Sequence, residues 1–239
     1  MISNPRFVSG RSPEALVRAG QHWEARRQVE AGETSRAPTA FTIALSREVG
    51  ARGTSVARVL GERLGWQVYD HELVERIAQE MRLRASLLKS VDERRMSWIE
   101  ECIENFSTVP TVTQSSYVQH LLETVLSLGA HGECVIVGRG AAQLLPAATT
   151  LRVRLVAPLE ERIAFIRHQE GMSRAEAARY VEATDRERTR FARDHFLKNP
   201  TEPAGYDLIV NSGRFTVDEC ADLIIDGLRR LQARAAGGT

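Results

Sequence analysis

The chain has 239 residues, 43% hydrophobic and 26% charged, with 32 Lys and Arg against 31 Asp and Glu and a formal net charge of +1. That length suits one mid-sized α/β domain, alone or with an appendage, and the apolar fraction is enough for a packed core. A net charge so near zero excludes a global field that would select nucleic acid or a membrane surface, and no apolar run reaches the length of a membrane span. Cys102, Cys134 and Cys220 are odd in number and scattered, so they give neither a disulfide framework nor a metal-ligand spacing. Cys134 lies in an apolar run and reads as a small core residue. His71, His120, His131, His168 and His195 show no metal spacing either. The first residues lack the apolar core of a secretory signal, so a cytoplasmic protein is expected.

Residues 1–40 read as an appendage. Ser12-Pro13 marks a helix start, Leu16, Ala19 and Trp23 make a thin apolar stripe, and Gly32 to Pro38 reads as a linker. Three fates of this arm stand open: docking on the domain, docking on a second copy to give a homo-oligomer, or mobility. The domain proper spans residues 41–235. Phe41 to Leu45 is a short apolar strand that stops at a polar, glycine-bearing loop, and Val56, Leu60 and Leu64 recur at helical spacing behind it. Trp66 to Tyr69 is a second short strand. Asp70 caps a helix carrying Leu73, Val74, Ile77 and Met81. Residues 85–106 read as helical, with Trp98, Ile99, Ile103 and Phe106 on one side, and Ser107 to Ser116 as a loop. Tyr117 to Leu128 is an amphipathic helix.

Cys134 to Val137 is a continuous apolar strand that ends in Gly138-Arg139-Gly140. Leu151 to Val156 is the fourth strand, and Pro158 opens the next helix at its first turn. Ser173-Arg174-Ala175-Glu176 and Thr216-Val217-Asp218-Glu219 are capping boxes. Tyr206 to Val210 is the fifth strand. Apolar strands separated by helices predict an α/β fold, a five-stranded parallel sheet covered on both faces. Ligands of such sheets gather at the carboxyl ends of the strands. The loop after the first strand, Asp70 after the second and Arg139 after the third all lie there.

The loop has the layout of a phosphate cradle, in which backbone N–H groups and a helix N-terminus meet an anion together. Laid over G-x-x-x-x-G-K-[ST], Ser46 to Gly53 reads S-R-E-V-G-A-R-G. Ser46 stands at the first glycine, Ala51 at the second, Arg52 at the lysine and Gly53 at the hydroxyl position, with Thr54 one residue later. Gly50 and Gly53 leave room for close approach, and Arg52 keeps the positive charge as a planar fork. Arg139 between two glycines stays reachable and suits bidentate phosphate contact. Eight arginines lie between positions 162 and 193, densest in Asp185-Arg186-Glu187-Arg188-Thr189-Arg190. On helices most such charges form a solvated face with acidic partners, but one or two of these could close over phosphates.

These residues carry a resemblance. SREVGARGT at 46–54, YDHELV at 69–74, VGRG at 137–140, DRERTRF at 185–191 and YDLIVNSGRFTVDE at 206–219 occur in the order seen in the cytidylate kinase-like family of P-loop proteins. The resemblance implies a P-loop NTPase fold of the nucleoside monophosphate kinase kind, with a helical monophosphate-binding insertion at 70–130 and an Arg-rich lid at 158–200. It implies ATP and Mg²⁺ as cofactors, a nucleoside monophosphate such as CMP or dCMP as acceptor, and no nucleic-acid or membrane partner. Ser46, Glu48, Gly50, Ala51, Arg52, Gly53, Thr54 and Ser55 would hold the donor phosphates, with Thr54 reaching the metal. Asp70, Arg139, Arg186 and Arg188 would face the acceptor, and Arg52 and Arg188 would act on the phosphoryl in flight. Two departures stand out: Arg52 replaces the loop lysine, and Gly140 stands where cytidylate kinases usually carry an aspartate. A nucleotide-binding regulatory protein with little turnover, or a kinase of another small acceptor, are the rival expectations.

Overall fold

Alternation within the apolar runs decides the layers. In β1 (Thr42–Arg47), Ile43 and Leu45 point to one face and Ala44 to the other, as strand geometry requires. The computed structural model describes residues 12–32, 40–91, 93–107 and 115–237. β1 lies at the centre of a five-stranded sheet with β2 (Gln67–Tyr69), β3 (Cys134–Val137), β4 (Thr150–Val156) and β5 (Leu208–Asn211), in the order β2-β3-β1-β4-β5. All neighbouring pairs are parallel, and Leu45 stands in register with both Val137 and Val153.

Both faces are covered, as expected for a parallel sheet. Ile43, Leu45, Val135, Val137, Val153 and Leu155 meet Val56 and Leu60 of α2 (Gly53–Leu64) and Ile224 and Leu228 of α10 (Val217–Gly237). Ala44, Ile136 and Tyr69 meet Leu73 and Ile77 of α3 (His71–Gln79) and Leu121, Leu122 and Val125 of α6 (Ser116–His131). Each such fully buried aliphatic side chain stabilises the fold by roughly 1.5–3 kcal/mol. The single-turn helix α7 (Ala141–Leu144) follows β3, and α8 (Leu159–Glu170) and α9 (Arg174–Phe196) separate β4 from β5.

Both capping boxes form. Ser173 Oγ accepts from the Glu176 N–H at 3.3 Å and Thr216 Oγ1 from the Glu219 N–H at 3.2 Å, with each carboxylate returning to the cap. Pro158 is the residue before α8 rather than its first turn. The stretch read as helical over 85–106 falls in two helices, α4 (Met81–Lys89) and α5 (Glu93–Ser107). The break falls at Ser90, whose hydroxyl donates to Leu87 O at 2.5 Å and also meets His131 Nε2 at 2.9 Å, so it competes with the helical ladder. The predicted linker after Gly32 and most of the loop after Ser107 lie outside the described residues. Among the described residues no helix is long and apolar enough to cross a membrane.

Of the fates open to the arm, α1 (Pro13–Gly32) takes docking on its own domain. Its buried stripe is Ala15, Ala19 and Trp23, with Leu16 packed beside it. Trp23 Nε1 donates to Tyr69 Oη at 2.9 Å, and His22 Nδ1 meets the same hydroxyl at 2.9 Å. Arg26 Nε donates to His131 O at 3.0 Å and pairs with Glu133 at 2.9 Å. Burial, then Arg26, pushes His22 down from 6.5 to about 4. Burial, then His22, Arg95 and Arg26, pushes His131 to about 3.

Both imidazoles are therefore neutral in the fold while the unfolded chain protonates them below pH 6.5. Stability is full above that pH and is lost as pH falls towards the folded-state values. Urea unfolding is expected to show a midpoint that declines steadily from pH 6.5 to pH 4. In His22→Gln the decline should lessen by up to about 1.4 kcal/mol per pH unit, the value for one proton. An unchanged slope would sink this account.

Candidate functional site

The site is built where β1 and β3 end side by side. Leu45 O accepts from the Gly138 N–H at 3.0 Å, which holds the two following loops together. After β1 the chain turns: Glu48 N–H donates to Leu155 O at 3.1 Å, and Ala51 N–H donates back to Glu48 O at 3.2 Å. Gly50 has φ +81, and a Cβ there would lie 2.6 Å from Arg162 O, so only glycine fits. Arg52 caps α2 in the left-handed region, with φ 55 and ψ 24. Its guanidinium rests 6.0 Å from the Phe165 ring centroid on α8. Val56 N–H closes the first turn on Arg52 O, so the N–H groups of Gly53, Thr54 and Ser55 precede the helical ladder.

The loop after β3 is three left-handed residues in a row, Gly138 at φ 80, Arg139 at 51 and Gly140 at 75. The space of the missing side chains is used. A Cβ on Gly138 would meet Arg47 Nη1 at 2.3 Å, and one on Gly140 would meet the Phe196 ring at 2.2 Å. Arg139 Nη2 pairs with Glu75 at 2.8 Å, and Tyr117 Oη donates to the same carboxylate oxygen at 2.9 Å. The Arg139 guanidinium lies 5.9 Å from the Phe191 ring centroid, and its buried Nε has no partner among the described residues.

Helix α9 closes the third side. Asp185 accepts from the Val49 N–H at 2.9 Å with one oxygen and pairs with Arg162 Nη1 at 2.5 Å with the other. Arg188 Nη1 reaches Arg47 O at 3.4 Å. Between these walls lies a cleft of about 350 Å³, lined by Arg47, Arg139, Arg154, Arg188, His71 and Phe191 among others. At its rim Tyr206 Oη meets Ser46 Oγ at 3.2 Å and Arg154 Nη1 donates to Pro200 O at 2.7 Å.

The electrostatics are dominated by guanidinium groups. Burial, then the charges of Arg188 and Arg139, lowers Arg47 to about 9, against the pull of Asp70 and Asp185. Burial also lowers Arg188, with Asp185 opposing it. His71 is pushed down by burial and then by Arg47 and Arg139. Such a cluster of guanidinium groups offers positive charge and paired N–H donors of the kind that suit an anion.

The structure distributes the predicted residues unevenly. Ser46, Glu48, Arg139 and Arg188 line the cleft. Glu48 is held there by the Ala157 N–H at 3.2 Å, Arg162 at 3.4 Å and Arg154 at 3.7 Å. Gly50, Ala51, Arg52, Gly53, Thr54 and Ser55 form the flank of the loop and do not line it; Ala51 is buried and Thr54 exposed. Asp70 caps α3 by accepting from the Leu73 N–H at 2.8 Å, outside the cleft lining. Arg186 is exposed and paired with Glu182 on the far side of α9.

The sequence pattern does not single out Arg47, Glu75, Arg154 or Phe196, and it offers Arg162 only as one of the eight arginines between 162 and 193. Arg154 had a signal: Arg152 and Arg154 alternate with Leu151, Val153 and Leu155 in β4, so they share the less buried face. Glu75, Arg162 and Phe196 are ordinary helical residues whose importance comes only from what they touch.

Residues 42–214 match the cytidylate kinase-like family, and the chain belongs to that family. Among solved structures, an uncharacterized protein from Eubacterium ventriosum is similar with a TM-score of 0.64 at 22% identity, covering 82% of this chain and 99% of that one. A shikimate kinase from Bacteroides thetaiotaomicron is similar with a TM-score of 0.44 at 14% identity, over 79% of this chain and 98% of that one. Among curated proteins, a uronate isomerase from Corynebacterium glutamicum is 33% identical over 97 residues, which is 40% of this chain and 19% of that protein.

Phe196 against Gly140 gives a stability test. Gly140→Ala adds a Cβ into the ring and forces an alanine into a positive-φ conformation. It is expected to cost on the order of 2–3 kcal/mol by urea unfolding. Phe196→Leu in the same background should recover part of that loss, and purely additive effects would contradict the contact.

Proposed function

We propose that this protein is an ATP-dependent phosphotransferase of the nucleoside monophosphate kinase kind, moving the γ-phosphoryl of ATP to an acceptor such as CMP or dCMP. The observation that carries this reading is the convergence of Arg139 and Arg188, from separate elements, on one cleft at the carboxyl edge of a parallel sheet. Arg139, anchored by Glu75, would grip the acceptor phosphate. Arg188, on the helix that closes the cleft, would neutralise charge as the phosphoryl moves. The α2 N-terminus and the loop N–H groups would face the donor phosphates. Catalysis is then positioning, water exclusion and charge neutralisation, with no covalent intermediate. The Thr54 hydroxyl, exposed in the first turn of α2, fits as one oxygen ligand of Mg²⁺ held otherwise by phosphates and water.

Two observations favour rival readings. The Asp185 carboxylate occupies the Val49 N–H, and Arg52 is turned onto Phe165, which favours a nucleotide-binding protein with little turnover. Phe196 fills the space beside Gly140, where an aspartate would have to stand, which favours an acceptor other than a cytosine nucleotide.

The test is ADP formation by the purified protein with ATP and Mg²⁺ across a panel of monophosphates. Turnover with CMP or dCMP supports the proposal, and turnover with another acceptor keeps the reaction class while changing the substrate. ATP binding without turnover on any acceptor supports the regulatory reading instead. Arg139→Ala is expected to lower kcat/KM for the acceptor roughly 100-fold, the usual loss for one charge-stabilising donor. ATP affinity should stay nearly constant. Equal loss on both ligands would contradict the assignment of Arg139 to the acceptor.

A further inference from the structure

A P-loop relies on one cation, the lysine at the end of its template, to reach the phosphates. Here that position is Arg52, and its guanidinium lies over the Phe165 ring on α8, outside the cleft lining. A different arginine of the same loop lines the cleft, five positions earlier. We propose that Arg47 is the loop's phosphate-binding cation, gripping a phosphoryl dianion together with Arg139 and Arg188. The inference rests on the phosphotransferase reading for the nature of the anion, and it reassigns the residue that holds it.

Three observations carry it. First, the fold makes room for this one side chain from two directions. A Cβ on Gly53 would stand 2.7 Å from Arg47 Cγ, and one on Gly138 would stand 2.3 Å from Arg47 Nη1. Glycines at the start of α2 and at the end of β3, 85 positions apart (138 less 53), both accommodate Arg47. Second, the guanidinium of Arg47 makes no hydrogen bond or ion pair among the described residues. Its neighbours are engaged: Arg139 with Glu75, Arg154 with Glu48, and Arg162 with Asp185 and Glu48. Third, Arg139 and Arg188 lie close enough to press on Arg47 with like charge, and Asp70 and Asp185 offset them only in part. A partly buried cation without a partner, beside two others, is unfavourable in the free protein. A doubly charged phosphoryl would relieve all three, and a planar guanidinium fork offers it two parallel donors.

The phosphoryl is either the phosphate of a monophosphate acceptor, shared with Arg139, or the γ-phosphate of ATP, held mainly by Arg47 and Arg188 beside it, and the same experiment separates them. Binding of ATP, of CMP and of inorganic phosphate is measured by calorimetry on wild type, Arg47→Met, Arg47→Lys and Arg52→Ala. Thermal unfolding of each variant is followed without ligand. Arg47→Met is expected to weaken binding about 10- to 100-fold, the range for losing a charge-assisted pair. A loss confined to ATP assigns the donor phosphate, and one confined to CMP assigns the acceptor. Arg47→Lys should fall in between, and Arg52→Ala should stay within about twofold of wild type, less than one ordinary hydrogen bond is worth.

The stability readout separates binding from a merely structural role. Because the free protein carries Arg47 unpaired, Arg47→Met should unfold about 2–4 °C higher than wild type. Weakened binding in Arg52→Ala with unchanged binding in Arg47→Met overturns the inference. So does a large drop in the unfolding temperature of both Arg47 variants. Arg47-dependent binding of inorganic phosphate by a protein that takes no nucleotide supports the inference while the nucleotide kinase reading falls. A wild type that binds none of the three ligands overturns both.

Discussion

The constraint on which the rest depends is the registration of β1 between β3 and β4. Leu45 stands level with Val137 on one side and Val153 on the other, so the loops after β1 and β3 leave the sheet together. Everything in the cleft follows from that alignment. It brings Arg47 against Gly138, sets Arg139 across from the β1 loop, and leaves the gap that α9 covers. Strand order matters as much as register: because β2 pairs with β3 and not with β1, the β1 loop faces β3 directly. This is the kind of crevice in which open α/β sheets bind their ligands.

Within that frame the site is a negotiation among charges. Arginines from the end of β1, the loop after β3, β4, α8 and α9 crowd one region, and carboxylates from three other positions hold them apart. Glu75 anchors Arg139, Glu48 ties Arg154 and Arg162 to the loop, and Asp185 joins Arg162 to the Val49 N–H. These pairs are partly shielded from water, so removing one partner costs more than it does at an exposed ion pair. The outcome is a cationic lining whose arginines, apart from Arg47, are held by carboxylates or backbone carbonyls. Asp185 has a double role, since the same carboxylate that steadies Arg162 also occupies a loop N–H, and so couples α9 to the loop.

The face of the sheet covered by α3 and α6 has its own polar centre. Tyr69, the most enclosed aromatic of the sheet, receives the Trp23 N–H and meets His22, so α1 is joined to the sheet by directional bonds as well as by its apolar stripe. A buried hydroxyl needs such partners. With that stripe covered by its own chain, α1 acts as a structural cover for β2 and α6.

Short-range patterns determined much of this protein directly. Alternation in Phe41 to Leu45, the apolar run of Cys134 to Val137, the boxes at Ser173 and Thr216, and the glycines at 50, 138 and 140 depend on neighbours within four or five residues. Such features can be read from one strand of text, and they gave the parallel α/β layout and the addresses of the ligand-facing loops. Tertiary structure alone decided which charges face the cleft. Arg47 and Arg52 sit in one loop and look equivalent in sequence, yet a left-handed cap turns Arg52 towards Phe165 while the edge of β1 delivers Arg47 to Gly138. Glu75, Phe196 and Arg162 acquired their roles in the same way, through partners more than twenty residues distant. The physical reason is that secondary structure is stabilised locally, whereas the direction of a long charged side chain is fixed by packing and by fields summed over the whole fold.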